Sequence, residues 1–256
     1  MDKEIIILGD IEMGGGTLTD DFISDKALSQ LIDNLTDKEH AVDLILNGDT
    51  FDFLKCPDYD HELKKCTYPR HITVGVSLNK TILIYNAHKK VFEALKRFVQ
   101  DKNNKLYFII GNHDFDLLFK PVQREIRRLI KSRSNVFFRF KYRKHDVYAE
   151  HGQQHDFLNR INMKNPFYSY RGKQILGVPW ISYGIISRLL YLKEEHPFLE
   201  RIKPLPLVFS YHRIAAKKLN WKSMLYVLKS IFYYPLRYYS DPTYLFPREI
   251  AREIYR

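Results

Sequence analysis

Apolar residues along the first 156 positions recur as short unbroken runs, each ending on polar residues. Ile5-Ile6-Ile7-Leu8 ends at Gly9-Asp10, Val42-Asp43-Leu44-Ile45-Leu46 ends at Asn47-Gly48-Asp49, and Leu106-Tyr107-Phe108-Ile109-Ile110 ends at Gly111-Asn112-His113-Asp114. Short β-branched and aromatic runs of this kind read as buried strands. Between them lie helix-period segments, roughly Asp21 to Asn34 and Thr81 to Gln100. The order βαβαβ predicts an α/β core with adjacent parallel strands, and a site beyond their carboxyl ends. A fourth strand-like stretch, His145 to Glu150, runs into the polar cluster His151-Gly152-Gln153-Gln154-His155-Asp156. If the four strands lie side by side, Asp10, Glu12, Asp49, Asn112, His113 and His151 face one crevice.

That set is dominated by oxygen donors with some imidazole, which suits Mn, Fe or Mg better than a thiolate zinc site. The spacings Asp10-x-Glu12, Gly48-Asp49-x-x-Asp52, Gly111-Asn112-His113-Asp114 and Glu150-His151-Gly152 resemble the calcineurin-like metallophosphoesterases. Their signature is D-x-H, G-D-x-x-D, G-N-H-D/E, a histidine beside glycine, and a terminal G-H-x-H. The resemblance implies a two-sheet sandwich flanked by helices, with a C-terminal helical insertion or cap. It also implies a hydrolase of phosphoester or pyrophosphate bonds in which two divalent ions, Mn2+ foremost with Fe2+ or Mg2+ as alternatives, clamp a phosphoryl group and furnish a metal-bound hydroxide. Carried over by position, Asp49 bridges, Asp10 holds the first ion, and Asn112 with His151 holds the second, with Glu12 a further metal ligand. His113 stabilises or protonates the leaving oxygen, with Asp114 as its catalytic companion, and Asp114 or Asp52 orients imidazole or backbone.

Two positions depart from the signature. Glu12 stands where the family has histidine, adding a negative charge and a harder donor, which favours Mn2+ or Mg2+ over Zn2+. No G-H-x-H follows His155, and the later histidines, His196 and His212, do not match it. The expectation is a chain that continues past Arg256, or a site completed by other groups.

Composition then separates the two ends of the chain. Residues 1–156 hold 24 Lys+Arg against 24 Asp+Glu, whereas residues 157–256 hold 17 against 6 and 20 of the 37 aromatics, so all of the net charge of +11 lies in the last 100 residues. This predicts a metallophosphoesterase core at 1–156 and a basic, aromatic helical insertion or cap at 157–256. Within the family, the His151-Gly152-Gln153 block and the aromatic segment after it look most like the UDP-diacylglucosamine pyrophosphatase branch, whose members cleave a pyrophosphate next to a lipid. The stretch Ile231-Phe232-Tyr233-Tyr234-Pro235-Leu236-Arg237-Tyr238-Tyr239 mixes rings with cations, as a surface in peripheral contact with a membrane would, and it reads equally as a buried helical cap of the same domain.

Arg124, Arg127, Arg128, Lys131 and Arg133 form a further basic cluster, and Arg124, Arg128 and His155 are candidates for substrate contact. Nucleic acid is the second partner class, which would make the protein a nuclease. A degenerate, non-catalytic scaffold is the third reading. Gly14-Gly15-Gly16 could meet a phosphate through backbone N–H groups, and Cys56, His61 and Cys66 are spaced too irregularly for zinc. Pro179, Gly184 and Arg188 interrupt the apolar stretch 174–192, which argues against a membrane span. Two cysteines and an acidic start, Met1-Asp2-Lys3-Glu4, lead to the expectation of a cytoplasmic protein.

Overall fold

A computed structural model describes residues 3–60, 64–132, 134–144, 146–197, 204, 207, 210 and 213–245. It divides into two compact units, Met1–Thr67 with Val74–Gln153, and Tyr68–Thr73 with Gln154–Arg256. His61, Arg133, His145, His212 and the helical-looking stretch 247–254 lie outside the described residues.

In chain order the first unit contains β1 (Glu4–Leu8), α1 (Asp25–Thr36), β2 (Val42–Asn47), a small hairpin of β3 (Asp58–Asp60) and β4 (Lys65–Thr67), α2 (Val74–Ala87), α3 (Lys89–Phe98), β5 (Lys105–Ile109), α4 (Lys120–Leu129), β6 (Val136–Arg139), β7 (Lys141–Lys144) and β8 (Val147–Glu150). Four of these strands form a parallel sheet in the order β1-β2-β5-β6, with Ile6 beside Leu44 and Leu44 beside Leu106. The central run is buried on both faces, as a parallel strand must be when both sides are covered. On one face Phe108 stacks on Phe51 and Phe138, with ring centroids 5.5 and 5.0 Å apart. On the other, Ile45, Tyr107 and Ile109 take Tyr142 of β7 and Ala149 of β8 against them. Helix α1 buries Leu28, Ile32 and Leu35, a stripe at helical spacing, and packs against α3.

Two expectations change. The fourth strand of the parallel sheet is Val136–Arg139, and the His145–Glu150 stretch supplies β8, which pairs antiparallel with β7 in a separate two-stranded sheet. The reason is visible in the side chains: Tyr142 and Ala149 point inward while Arg143 and Tyr148 face solvent. Strands with one wet face suit an antiparallel hairpin, not a doubly covered position. Among the described residues, this hairpin is what represents the second sheet of the expected sandwich. The helix expected over 81–100 is two helices that break at His88, whose buried ring is held between Asp25 Oδ1 at 2.9 Å and Asp20 Oδ2 at 3.0 Å.

The second unit contains an antiparallel hairpin of β9 (Phe167–Tyr170) and β10 (Lys173–Leu176), then α5 (Trp180–Gly184), a π turn (Ile185–Leu189) and α6 (Leu190–Glu195). Helix α7 (Arg213–Leu228) continues through a second π turn (Lys229–Tyr233) into α8 (Tyr234–Arg237). Among the described residues, Trp180, Tyr183, Tyr226 and Tyr234 form one buried cluster in it, and Leu192 with Ala216 another. Arg70 ties the segment 68–73 into this unit by stacking on Tyr244, 3.9 Å from the ring centroid, and donating to Thr243 O. No described helix is long and apolar enough to cross a membrane.

Candidate metal centre

Because β1 and β2 run parallel and in register up to Leu8 and Leu46, the loops that leave them stay adjacent and keep pairing. Asp10 N–H donates to Gly48 O at 3.4 Å, Glu12 N–H to Asp49 O at 2.7 Å, Met13 N–H to Thr50 O at 3.1 Å, and Asp52 N–H to Met13 O at 2.8 Å. This ladder sets Asp10 and Glu12 beside Asp49. All three adopt the left-handed backbone, with φ of 52°, 56° and 47°, which costs a non-glycine residue about 1–2 kcal/mol.

The ligand atoms converge in two groups, Asp10 with Asp49 and His151, and Glu12 with Asp49 and His113, each within 4.8 Å of one another. Asp49 belongs to both. Its Oδ1 accepts the His113 backbone N–H at 2.9 Å and its Oδ2 lies 3.2 Å from His151 Nε2. Asn112 Oδ1 is 3.1 Å from the same His151 nitrogen, and His151 Nδ1 is 3.1 Å from Asn47 O. Five of the residues expected to hold metal, Asp10, Glu12, Asp49, Asn112 and His151, are therefore brought to one place, and His113 joins them.

Two glycines make the room. A Cβ on Gly48, whose φ is +83°, would lie 2.3 Å from the His151 ring, and a Cβ on Gly111 would lie 2.1 Å from Asp49 Oδ1. The cleared space goes to the donor side chains themselves. Three carboxylates, an amide oxygen and two imidazoles over this space form a donor set that fits hard or borderline divalent ions.

Electrostatics follow from the crowding. Burial opposes a charged ring at His113, but the charge and hydrogen bond of Asp52, then Asp49 and Glu12, raise it to about 9. Burial likewise opposes His151, and Asp49 raises it to about 9. Burial pushes Asp52 up, but His113 and Lys55 hold it well below the usual carboxylate range. Asp49 is also lowered, against its burial, by His151 and His113. Without a bound cation, protonated imidazoles neutralise these acids.

The two supporting acids divide their work. Asp52 Oδ1 sits 2.9 Å from His113 Nδ1 and orients the ring. Asp114, expected beside His113 in a catalytic role, is fully buried, with its carboxylate oxygens accepting the N–H groups of Thr50 and Gly111. It clamps the two loops together and does not touch the imidazole. Burial first, and then the charge of Asp49, pushes its carboxyl up.

The outer candidates fare differently. Arg128 on α4 is exposed and engaged by Glu125 through both guanidinium contacts, and Arg124 is exposed on the same helix. Arg127 packs over Phe138 and donates to Val136 O. His155 is exposed and belongs to the second unit. The N–H groups of Gly14 and Gly16 donate to Asp20, at 3.2 and 2.8 Å. The Cys56 thiol is buried and Cys66 is exposed.

Sequence reasoning missed Lys55. Its ammonium contacts Glu12 and Asp52 at 3.0 and 3.1 Å. The signal was the i, i+3 spacing from Asp52 to a lysine in a buried stretch.

These features define an α/β domain with a carboxylate and imidazole centre beyond the strand ends of its parallel sheet. The chain belongs to the calcineurin-like phosphoesterase family, whose profile matches residues 3–213. Members of that family are metal-dependent phosphoester hydrolases. No curated protein and no solved structure matches the chain.

Proposed function

We propose that the protein hydrolyses phosphoester or pyrophosphate bonds with a dinuclear centre, and that Mn2+ is its metal. The observation that supports this reading is the single carboxylate of Asp49 shared by two donor groups. Following those groups, Asp10, Asp49, Asn112 and His151 would hold one ion and Glu12 with Asp49 the other, which moves Asp10 from the ion the resemblance gave it to that of Asn112 and His151. When bound, such a pair polarises phosphoryl oxygens and makes a water nucleophilic near neutral pH.

The chain's own residues position and move protons. With Nδ1 of His113 committed to Asp52, Nε2 is the ring atom left to donate to a departing oxygen. Asp114 fixes the loop spacing by holding the Thr50 and Gly111 N–H groups. Lipid-linked phosphates or pyrophosphates are the proposed substrates, as in the UDP-diacylglucosamine pyrophosphatase branch. The support is the second unit's exposed apolar side chains, among them Trp221, Phe232, Leu236 and Tyr239, next to Arg237 and Lys218.

The test is a Mn2+ titration read as ions bound per chain, followed by turnover of pyrophosphate lipids and of simple diesters. Asp49→Asn should lose both ions and at least about a thousandfold in turnover. Full activity in that variant would overturn the proposal.

A further inference from the structure

Lys55 lies in no metal-binding motif, yet its side chain is only 8% exposed and its ammonium meets three carboxylates: Glu12 Oε2 at 3.0 Å, Asp52 Oδ2 at 3.1 Å and Asp21 Oδ2 at 3.7 Å. Its main chain is anchored too. The backbone N–H donates to Asp52 Oδ1 at 3.0 Å, and its carbonyl accepts the Thr19 hydroxyl at 2.8 Å. Two of the three acids belong to the centre, because Glu12 groups with Asp49 and His113, and Asp52 holds the His113 ring. A fixed, buried positive charge therefore borders one of the two donor groups. Among the described residues, no ion pair joins a lysine or arginine to Asp10, Asp49 or His151, the members of the other.

We infer that Lys55 is a positioning residue that makes the two halves of the centre unequal, fixing Glu12 by one oxygen while its charge weakens the hold of the Glu12 and Asp49 carboxylates on a divalent ion. This rests on the proposal that both groups bind metal. The sign follows from Coulomb's law. Lys55 repels a doubly charged neighbour, and burial limits the screening that water would provide. At protein-like dielectric, a unit charge and a divalent charge several ångströms apart change affinity by at least about tenfold. Loss of the hydrogen bond that steadies Glu12 acts in the opposite direction by about 10- to 100-fold, which is less than the repulsion between a divalent ion and a buried unit charge a few ångströms away at an effective dielectric of about 20. The second ion thus joins only at higher free metal, so activity depends on metal concentration beyond the point where the first ion has saturated.

The experiment uses the full chain, Mn2+ alone and no substrate, with ions bound per chain measured across a titration. Wild type should show two steps separated by at least about tenfold. Lys55→Met, and Lys55→Gln, which can still donate a hydrogen bond without the charge, should tighten the weaker step by about tenfold or more and leave the tighter one within about threefold. Lys55→Arg keeps the charge and should keep the wild-type pattern. Two equal steps in wild type would overturn the inference, as would folded Met or Gln variants whose weaker step is unchanged or weaker still. If circular dichroism shows that a variant is unfolded, the step separation in wild type still decides. Absence of any Mn2+ binding in wild type would remove the dinuclear reading and the inference with it, whereas two equal steps would remove the inference alone.

Discussion

Replacing Gly111 with alanine asks the centre to accept one methyl group where no space exists for it. The added Cβ would lie 2.1 Å from Asp49 Oδ1 and 2.5 Å from the Asp49 backbone nitrogen, whereas ordinary contact begins at 3.4 Å. The oxygen must retreat by more than an ångström and the nitrogen by nearly as much. Rotating the carboxylate relieves only the first contact; the second requires the Asp49 loop to move. The backbone of Gly111 is not left-handed, so alanine is conformationally permitted and the whole effect is steric.

Overpacking of this kind costs about 1–3 kcal/mol of stability. The effect on metal should be larger, because ligand distances tolerate only about 0.2 Å and Asp49 serves both donor groups. The expected result is a folded Gly111→Ala protein, melting a few degrees lower, with Mn2+ affinity reduced at least about a hundredfold. Gly172→Ala is the control: its φ is +73° but nothing lies within 4 Å of the new Cβ, so only backbone strain of about 1 kcal/mol should appear. Wild-type Mn2+ stoichiometry and affinity in Gly111→Ala would refute the reasoning, whatever its melting temperature.

The metal-free protein should lose stability as pH rises. His113 and His151 are held near 9 in the folded chain against 6.5 ordinarily, so their contribution is complete below about pH 6.5 and vanishes as pH passes through about 9, a loss of up to roughly 3 kcal/mol each. Both lean on Asp49, so the joint loss is less than twice that; melting curves in chelator that are flat from pH 6 to 9.5 would contradict it. Asp52→Asn removes the negative charge that raises His113, and should lower kcat by about 10- to 1000-fold with little change in KM while moving the basic limb of the pH profile down; an unmoved limb would assign Asp52 a purely structural role. Trp221→Ser with Phe232→Ser should abolish sedimentation with vesicles rich in anionic phospholipid, and wild type should bind those vesicles but not zwitterionic ones. Equal binding of both kinds by wild type would deny the basic side chains a part.

How much of this was legible follows from the physics of each residue. Strands β1, β2 and β5 announce themselves because a strand buried on both faces must be an unbroken apolar run, and the acids that end them stand out by contrast. The hairpin of β7 and β8 was misplaced because His145–Glu150, read alone, gives no sign of which neighbour it pairs with. Its alternation identifies a strand with one wet face but not its sheet. Breaks inside helical stretches were invisible for a related reason. His88 interrupts the helices through Asp20 and Asp25, partners more than sixty positions away. Lys55 was missed because a lysine after a strand reads as solvated unless three carboxylates are known to surround it. Which of Asp52 and Asp114 orients the imidazole and which the backbone was open on the same ground, since motif spacing places both near His113 while only the fold decides which one reaches the ring.

The centre also carries a cost that the metal-free chain offsets only in part, through Lys55 at Glu12 and the two imidazoles at Asp49. Asp10, Glu12 and Asp49 occupy left-handed backbone without being glycine, which together disfavours the fold by about 3–6 kcal/mol. A substitution of Asp10 by glycine would relieve that strain, so stability alone would favour glycine at this position. What keeps a carboxylate there is chemistry that glycine cannot supply: a divalent ion bound by the folded chain and not by the unfolded one returns free energy to the fold that grows with the logarithm of its concentration relative to its Kd. The consequence is a sign reversal. Asp10→Gly should melt at a temperature equal to or above that of wild type in chelator and below it in saturating Mn2+, and a variant that melts lower under both conditions would show that Asp10 serves the fold and not the ion.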